Sequence, residues 1–134
     1  MSVAPHPDRH LLRAKDLMDR RYADALDVAR VAAAAGLSQA HFSREFRRAF
    51  GESPHQYLLT RRLERASELL RTTDRSVAEI CLDVGLRSVG SFTTSFTKTY
   101  GRSPTAYRAA FPPAATLARI PTCMGRAYAR PVGR

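Results

Sequence analysis

The sequence predicts an all-α chain of two helix-turn-helix units joined by one long linker helix, about seven helices in total. Three observations predict it. First, Phe42, Phe46 and Phe50 recur every four residues and share one side of a helix; at about 100° per residue the opposite side carries Ala40, Arg44, Arg47 and Arg48. Second, the pattern returns. Phe92, Phe96, Gly101, Ser103, Pro104 and Tyr107 each lie fifty positions after Phe42, Phe46, Gly51, Ser53, Pro54 and Tyr57. Upstream the offset is forty-nine: Val28, Ala29, Val31 and Gly36 match Val77, Ala78, Ile80 and Gly85. Ten matches in register mean two copies of one helical unit, with a single extra residue in the turn after the second glycine. Third, each copy reads as a short apolar helix, a tight glycine turn and a second helix, which is the helix-turn-helix arrangement.

Each element has its own signal. Residues 1–7 hold two prolines and are expected to form a flexible lead. Asp8 is the expected cap of a first helix to about Tyr22, with Leu11, Ala14, Leu17 and Met18 as its core face. Asp27 is the N-cap of a second helix to about Ala35, where Val28, Val31, Ala32 and Ala35 recur at helical spacing. Gly36-Leu37-Ser38 reads as turn, inward anchor and N-cap of the third helix, which ends near Phe50. Gly51 fits that end, because the residue there often needs positive φ. Ser53-Pro54 then restarts the chain, with Ser as N-cap, Pro at the first helical position and Gln56 placed to close a capping box.

The long helix runs from Pro54 to about Arg71, about 27 Å at 1.5 Å per residue. Leu59, Leu63, Ala66 and Leu70 make its seam, and Arg61, Arg62 and Arg65 stand elsewhere as an expected solvated face. Polar residues from Thr72 to Arg75 break it. Ser76 and Glu79 form a second capping box that opens the helix Val77 to Val84, which Gly85 ends. Ser88 caps the next helix, to Tyr100, and residues 104–111 make a last short one. The expected domain therefore spans 8–111: a first unit at 8–53, the linker helix at 54–71 and a second unit at 74–111. From Pro112 the pattern stops. Residues 112–134 hold four prolines, four arginines and no acids, and are expected to be a disordered basic tail that adds loose phosphate contacts.

Charge gives the first indication of a partner. The net charge is +10, from twenty Arg and two Lys against twelve acids. It is uneven: residues 1–83 carry 14 basic and 12 acidic side chains, whereas residues 84–134 carry 8 basic and none acidic. A pI near 10.8 points to nucleic acid first and an acidic membrane surface second. No stretch approaches the ~18 apolar residues of a membrane span, and the N-terminus is charged where a signal peptide would be apolar. The two cysteines make neither a disulfide scaffold nor a zinc site, so a reducing cytoplasm is expected.

Other residues read as structural. Phe42, Phe46, Phe92 and Phe96 belong to the core. Cys81 stands where its repeat partner is Ala32, as a small buried filler. His6, His10, His41 and His55 lack partners at metal-ligand spacing, so neither a metal nor a cofactor is expected. Catalysis would need a nucleophile with a base, or a metal set; no enzyme is expected.

If two recognition helices on one rigid linker point the same way, they enter successive major grooves, ~34 Å apart, on one face of a duplex. A monomer could then read about two helical turns, and the site need not be palindromic.

Two segments carry a resemblance to a known family. They are GLSQAHFSREFRRAFGESPHQYLLTRRLERA, from Gly36 to Ala66, and SVAEICLDVGLRSVGSFTTSFTKTYGRSPTAYR, from Ser76 to Arg108. With them the chain resembles the DNA-binding domain of the AraC/XylS family of bacterial transcription regulators, over about residues 8–111. Leu86 departs from it, since an aromatic usually follows the glycine there. The resemblance implies sequence-specific binding to double-stranded DNA in the bacterial cytoplasm, at the nucleoid, and activation with RNA polymerase. Members usually append this domain to a sensor domain. The sequence here reads as a standalone regulator or an excised part, with no small-molecule effector expected within it.

By position, the resemblance places Gln39, Ala40, Ser43, Arg44 and Arg47 of the first recognition helix against bases. In the second it places Val89, Gly90, Thr93, Thr94 and Lys98. Lys98 also counts as a phosphate candidate, with Ser38, Arg48, Arg87, Ser88 and Arg102. The copies differ in chemistry: Arg44 suits a bidentate contact to guanine, Thr94 offers weaker hydrogen bonds or a methyl contact to thymine, and Gly90 has no side chain. The first unit is therefore expected to supply most base readout and the second mainly to grip phosphate. The alternative reading is a protein-interaction or non-specific basic DNA-binding module on the same fold, separable by the salt dependence of DNA binding.

Overall fold

The computed structural model describes residues 8–24 and 26–112. The expected flexible lead at 1–7 and the basic tail beyond Pro112, with His6 and Cys123, lie outside them. Among the described residues there are seven helices and no strand: α1 (Arg9–Arg21), α2 (Val28–Ala34), α3 (Gln39–Phe50), α4 (Pro54–Thr72), α5 (Val77–Asp83), α6 (Val89–Tyr100) and α7 (Pro104–Ala109). The chain divides into two compact units, Met1–Arg61 and Arg62–Arg134, and the division falls inside α4.

The first unit packs α1, α2, α3 and the start of α4 around Leu11, Ala14, Met18, Val28, Val31, Ala32, Phe42, Phe46 and Leu58. Phe46 is its centre, with ring centroids 5.6 Å from Phe42, 4.6 Å from Phe50 and 5.6 Å from Tyr57. Such tilted rings add about 0.5–1.5 kcal/mol per pair beyond the area they bury. The Tyr57 hydroxyl donates to Asp19, and Lys15 Nζ lies 5.6 Å and 5.5 Å from the centroids of Phe50 and Tyr57, so the edge of the aromatic cluster is closed by polar groups.

The second unit buries Leu63, Ala66 and Leu70 of α4, Ile80 and Cys81 of α5, Val84, and Phe92 and Phe96 of α6. Phe96 stands 5.8 Å from Phe92, 4.5 Å from Tyr100 and 5.3 Å from Tyr107, repeating the Phe46 cluster position for position. Cys81 is fully buried like its counterpart Ala32, and burial pushes its thiol pKa up.

The repeat extends further than the aromatic and glycine positions. Leu63, Ala66 and Leu70 have the same three-then-four spacing as Leu11, Ala14 and Met18, fifty-two positions later. The second half of α4 thus serves the second unit as α1 serves the first. Where Leu58 completes the first core, its counterpart Arg108 closes the end of α4 instead, donating from Nε to the Leu70 carbonyl (3.1 Å) and from Nη2 to the Thr73 carbonyl (3.2 Å). The last carbonyls of a helix lack intrahelical partners, and the guanidinium supplies them.

The two turns are the same motif. Gly36 (φ 73°) and Gly85 (φ 88°) are left-handed, and in each case the glycine N–H returns to the carbonyl three residues back. The next N–H reaches five back, Leu37 to Ala32 and Leu86 to Cys81, both at 3.0 Å. This is the Schellman ending of a helix. Leu86 thereby occupies the place of Leu37, half-buried, so the departure from an aromatic leaves the turn intact. The extra residue, Arg87, falls after the motif and before the Ser88 cap.

Several expectations are corrected. Asp8 precedes α1 but makes no side-chain cap, because its carboxylate is taken by Arg48. The Ser53–Gln56 box is half formed: Ser53 Oγ accepts from the Gln56 N–H (3.1 Å), but the Gln56 amide donates to Thr60 Oγ1 (3.2 Å) instead of returning to the cap. The Ser76–Glu79 box is complete. In α4, Leu58 is the buried residue and Leu59 is half-buried. Leu17 is likewise only half-buried. Nor are Arg61, Arg62 and Arg65 a freely solvated face. Arg61 pairs with Asp19 (3.3 Å), Arg65 pairs with Glu68 (2.9 Å), and Arg62 is half-buried, its pKa lowered by desolvation.

Candidate nucleic-acid interface

Each recognition helix is set by the core behind it and a serine in front of it. In α3, Phe42 and Phe46 are fully buried, which fixes the rotation of the helix about its axis. Ser38 Oγ accepts from the His41 N–H (3.2 Å) and caps it. In α6, Phe92 and Phe96 do the same, and Ser88 Oγ accepts from the Ser91 N–H (3.1 Å). Both hydroxyls are exposed, and each keeps its own hydrogen to donate.

The outward faces correspond. Gln39, Ala40, Arg44 and Arg47 of α3 are exposed, as are Val89, Gly90 and Thr94 of α6. Ser43 and Thr93, a repeat pair, are both half-buried at the margin of the face. Ala40, Arg44 and Arg47 form a stripe at i, i+4 and i+7 opposite the core. Its counterpart on α6 is Gly90, Thr94 and Thr97. Thr97 was not among the sequence-based candidates, although it lies fifty positions after Arg47; Lys98, which was, corresponds to Arg48.

The three arginines of α3 are not equivalent. Among the described residues, the Arg44 and Arg47 side chains form no ion pair and no hydrogen bond, and both are exposed as open donors. Arg48 is held. Its Nε lies 2.7 Å from Glu45 Oε2 and its Nη2 lies 2.6 Å from Asp8 Oδ1. The hydrogen bond from Arg48 holds the Glu45 carboxyl below its usual range, and the two carboxylates raise the Arg48 pKa further. Arg48 is thus placed differently from the free phosphate contact expected of it. Glu45 is the only acid on α3, and it is matched by Arg48 on its own helix, so the charge of Arg44 and Arg47 stands unopposed.

The residues flanking α6 in sequence carry positive charge only. Arg87 precedes its cap, Lys98 sits in its last turn and Arg102 follows its end. All three are exposed, and no acidic residue occurs from position 84 onward. The α6 face is otherwise hydroxyl and methyl. Thr94 Oγ1 donates to the Gly90 carbonyl (3.1 Å) and Thr97 Oγ1 to the Thr93 carbonyl (2.7 Å). Among the described residues no group of three or more His, Cys, Asp or Glu side chains could hold a metal ion, and no helix is long and apolar enough to cross a membrane.

A buried aromatic pair behind each helix, a Schellman turn and serine cap before it, and a groove-sized exposed stripe on it, all present twice, define a double helix-turn-helix protein. A family model described as a helix-turn-helix domain matches residues 31–110, and the chain belongs to the AraC/XylS-type helix-turn-helix family, a family of DNA-binding transcription regulators. It is 34% identical over 83 residues to a probable transcriptional regulator, LumQ, of Photobacterium leiognathi, covering 62% of this chain and 34% of that protein. It is 36% identical over 104 residues to the transcriptional activator NphR of a Rhodococcus species, covering 77% of this chain and 31% of that one. The solved DNA-binding domain of AdpA, described as a global transcriptional factor in complex with a target DNA, aligns with a TM-score of 0.71 at 37% identity, over 75% of this chain and 90% of that one. The chain thus spans about a third of the length of the two curated relatives.

Proposed function

We propose that the chain is a sequence-specific transcription regulator that binds double-stranded DNA by placing α3 and α6 in successive major grooves. The observation that carries this reading is the pair Arg44 and Arg47, open donors on a helix whose rotation is fixed by buried phenylalanines. A guanidinium without an intramolecular acceptor matches guanine O6 and N7 bidentately, and each such contact is worth about 1–3 kcal/mol of discrimination. Gln39, Ala40 and Ser43 complete the first reading face, and Val89, Gly90, Thr93 and Thr94 the second. Ser38, Ser88, Arg87, Lys98 and Arg102 grip phosphate, and they position the protein without specifying sequence.

The two units divide the work unequally in this reading. The first supplies most of the donor-based readout, and the second adds charge. Activation together with RNA polymerase, binding as a monomer and the absence of catalysis and of a small-molecule effector site belong to the same proposal. The activation part is supported by the similarity to NphR, a transcriptional activator. The test is a scan of every base pair in the target site. Sharp losses in the α3 half and shallow ones in the α6 half are expected. Equal, guanine-dependent losses in both halves would overturn the division.

A further inference from the structure

Resting on that reading, we infer that the α6 stripe Gly90, Thr94 and Thr97 reads thymine through its C5-methyl group, where the matching stripe of α3 reads through hydrogen-bond donors. A threonine hydroxyl has one hydrogen. Thr94 gives it to the Gly90 carbonyl at 3.1 Å and Thr97 gives it to the Thr93 carbonyl at 2.7 Å. What each exposed side chain retains for a ligand is a γ-methyl and an acceptor lone pair. Bonded in this way, neither donates to guanine O6 or N7.

One turn before Thr94, Gly90 leaves a gap. A Cβ added there would meet only Ser88 Oγ, at 3.9 Å. The stripe is therefore a notch one turn before Thr94, with the Ser88 hydroxyl at its edge and no donor from Thr94 or Thr97. Val89, 41% exposed at the head of the helix, adds an apolar flank. Among the major-groove edges only thymine presents a methyl group, and the adenine paired with it presents a donor for the threonine lone pair. A T·A pair satisfies both features of the notch at once.

The test uses the full chain and a duplex site selected by it. Thymines in the α6 half are replaced singly by deoxyuridine, which removes only the methyl. Burying one methyl group predicts about fourfold weaker binding at the contacted thymine. Two variants at this exposed position separate methyl from hydroxyl. Thr94→Val keeps the γ-methyl and is expected to keep the uracil penalty. Thr94→Ser keeps the hydroxyl and is expected to lose it. The inference is overturned if no thymine is selected opposite α6, if deoxyuridine has no effect, or if the penalty survives in Thr94→Ser and vanishes in Thr94→Val. Any of these, with base preferences intact in the α3 half, leaves the proposed function standing. Loss of base preference in both halves removes the two together.

Discussion

Arg48 Nη2 lies 2.6 Å from Asp8 Oδ1, forty residues away in sequence, while its Nε holds Glu45 at 2.7 Å. One guanidinium thereby ties the last turn of the first recognition helix to the residue before α1. The pair is a fastening within the first unit, and it removes Arg48 from the open donors of α3.

Arg48 and its repeat counterpart Lys98 therefore separate in their salt dependence. Lys98→Ala is expected to lower the slope of log affinity against log salt by about 0.9, the loss of one phosphate contact. Arg48→Ala is expected to leave the slope unchanged and to lower the melting temperature modestly, by an amount that shrinks as salt is added, because the pair is exposed. Calorimetry and a salt titration of binding check both. An equal fall in slope for the two variants would mean that the Asp8 pair opens on DNA.

Arg44→Ala is expected to relax the preference at one base pair of the α3 half-site, by roughly 1–3 kcal/mol, and to leave the α6 half unchanged. Competition binding with each of the four base pairs at every position measures it. A uniform loss at all positions would make Arg44 a phosphate contact.

The helix starts differ in a measurable way. Ser76→Ala removes the cap of a complete box and is expected to cost about 1 kcal/mol in urea unfolding. Glu79→Ala should destabilise more than Gln56→Ala, because the Gln56 amide is bonded to Thr60 within its own helix and not to the cap. The Ser76 backbone and hydroxyl hold the Glu79 carboxyl below its usual range. A carboxyl with a lowered folded-state pKa contributes stability that is present above its unfolded pKa and lost as pH falls through the folded one. The acid limb of the stability profile should flatten in Glu79→Gln.

Phe46→Ala and Phe96→Ala each empty the centre of one aromatic cluster and are expected to cost about 3–5 kcal/mol. Cys81→Ala, which installs the residue found at the matching place in the first unit, should cost far less than either. Urea unfolding of the three variants under one set of conditions tests the order.

The architecture was legible because its signals are local and occur twice. Glycines at 36, 51, 85 and 101 all have positive φ, and serines at 38, 76, 88 and 103 all cap helices with their side chains. The details that escaped are those where one side chain has two possible partners, or one helix two duties. Asp8 could cap α1 or pair with Arg48, and only the packed unit decides. Gln56 could reach back to Ser53 or forward to Thr60. Leu58 lies off the i, i+4 row of Leu59 and Leu63, and a search for one seam misses it because α4 serves a different core in each half. Of the candidate interface, the α3 stripe was readable from periodicity. Thr97 was hidden behind the charge of Lys98, although the fifty-residue offset from Arg47 points to it. The engagement of the Thr94 and Thr97 hydroxyls with their own backbone leaves no mark in the sequence.

The most direct measurement is selection of binding sequences for the purified chain from random duplex DNA at near-physiological salt. One asymmetric motif of about two helical turns is predicted, with a guanine preference in one half that disappears in Arg44→Ala. A palindrome, or enrichment of no sequence together with binding that vanishes as salt rises, would contradict the account of a monomeric two-groove reader led by Arg44.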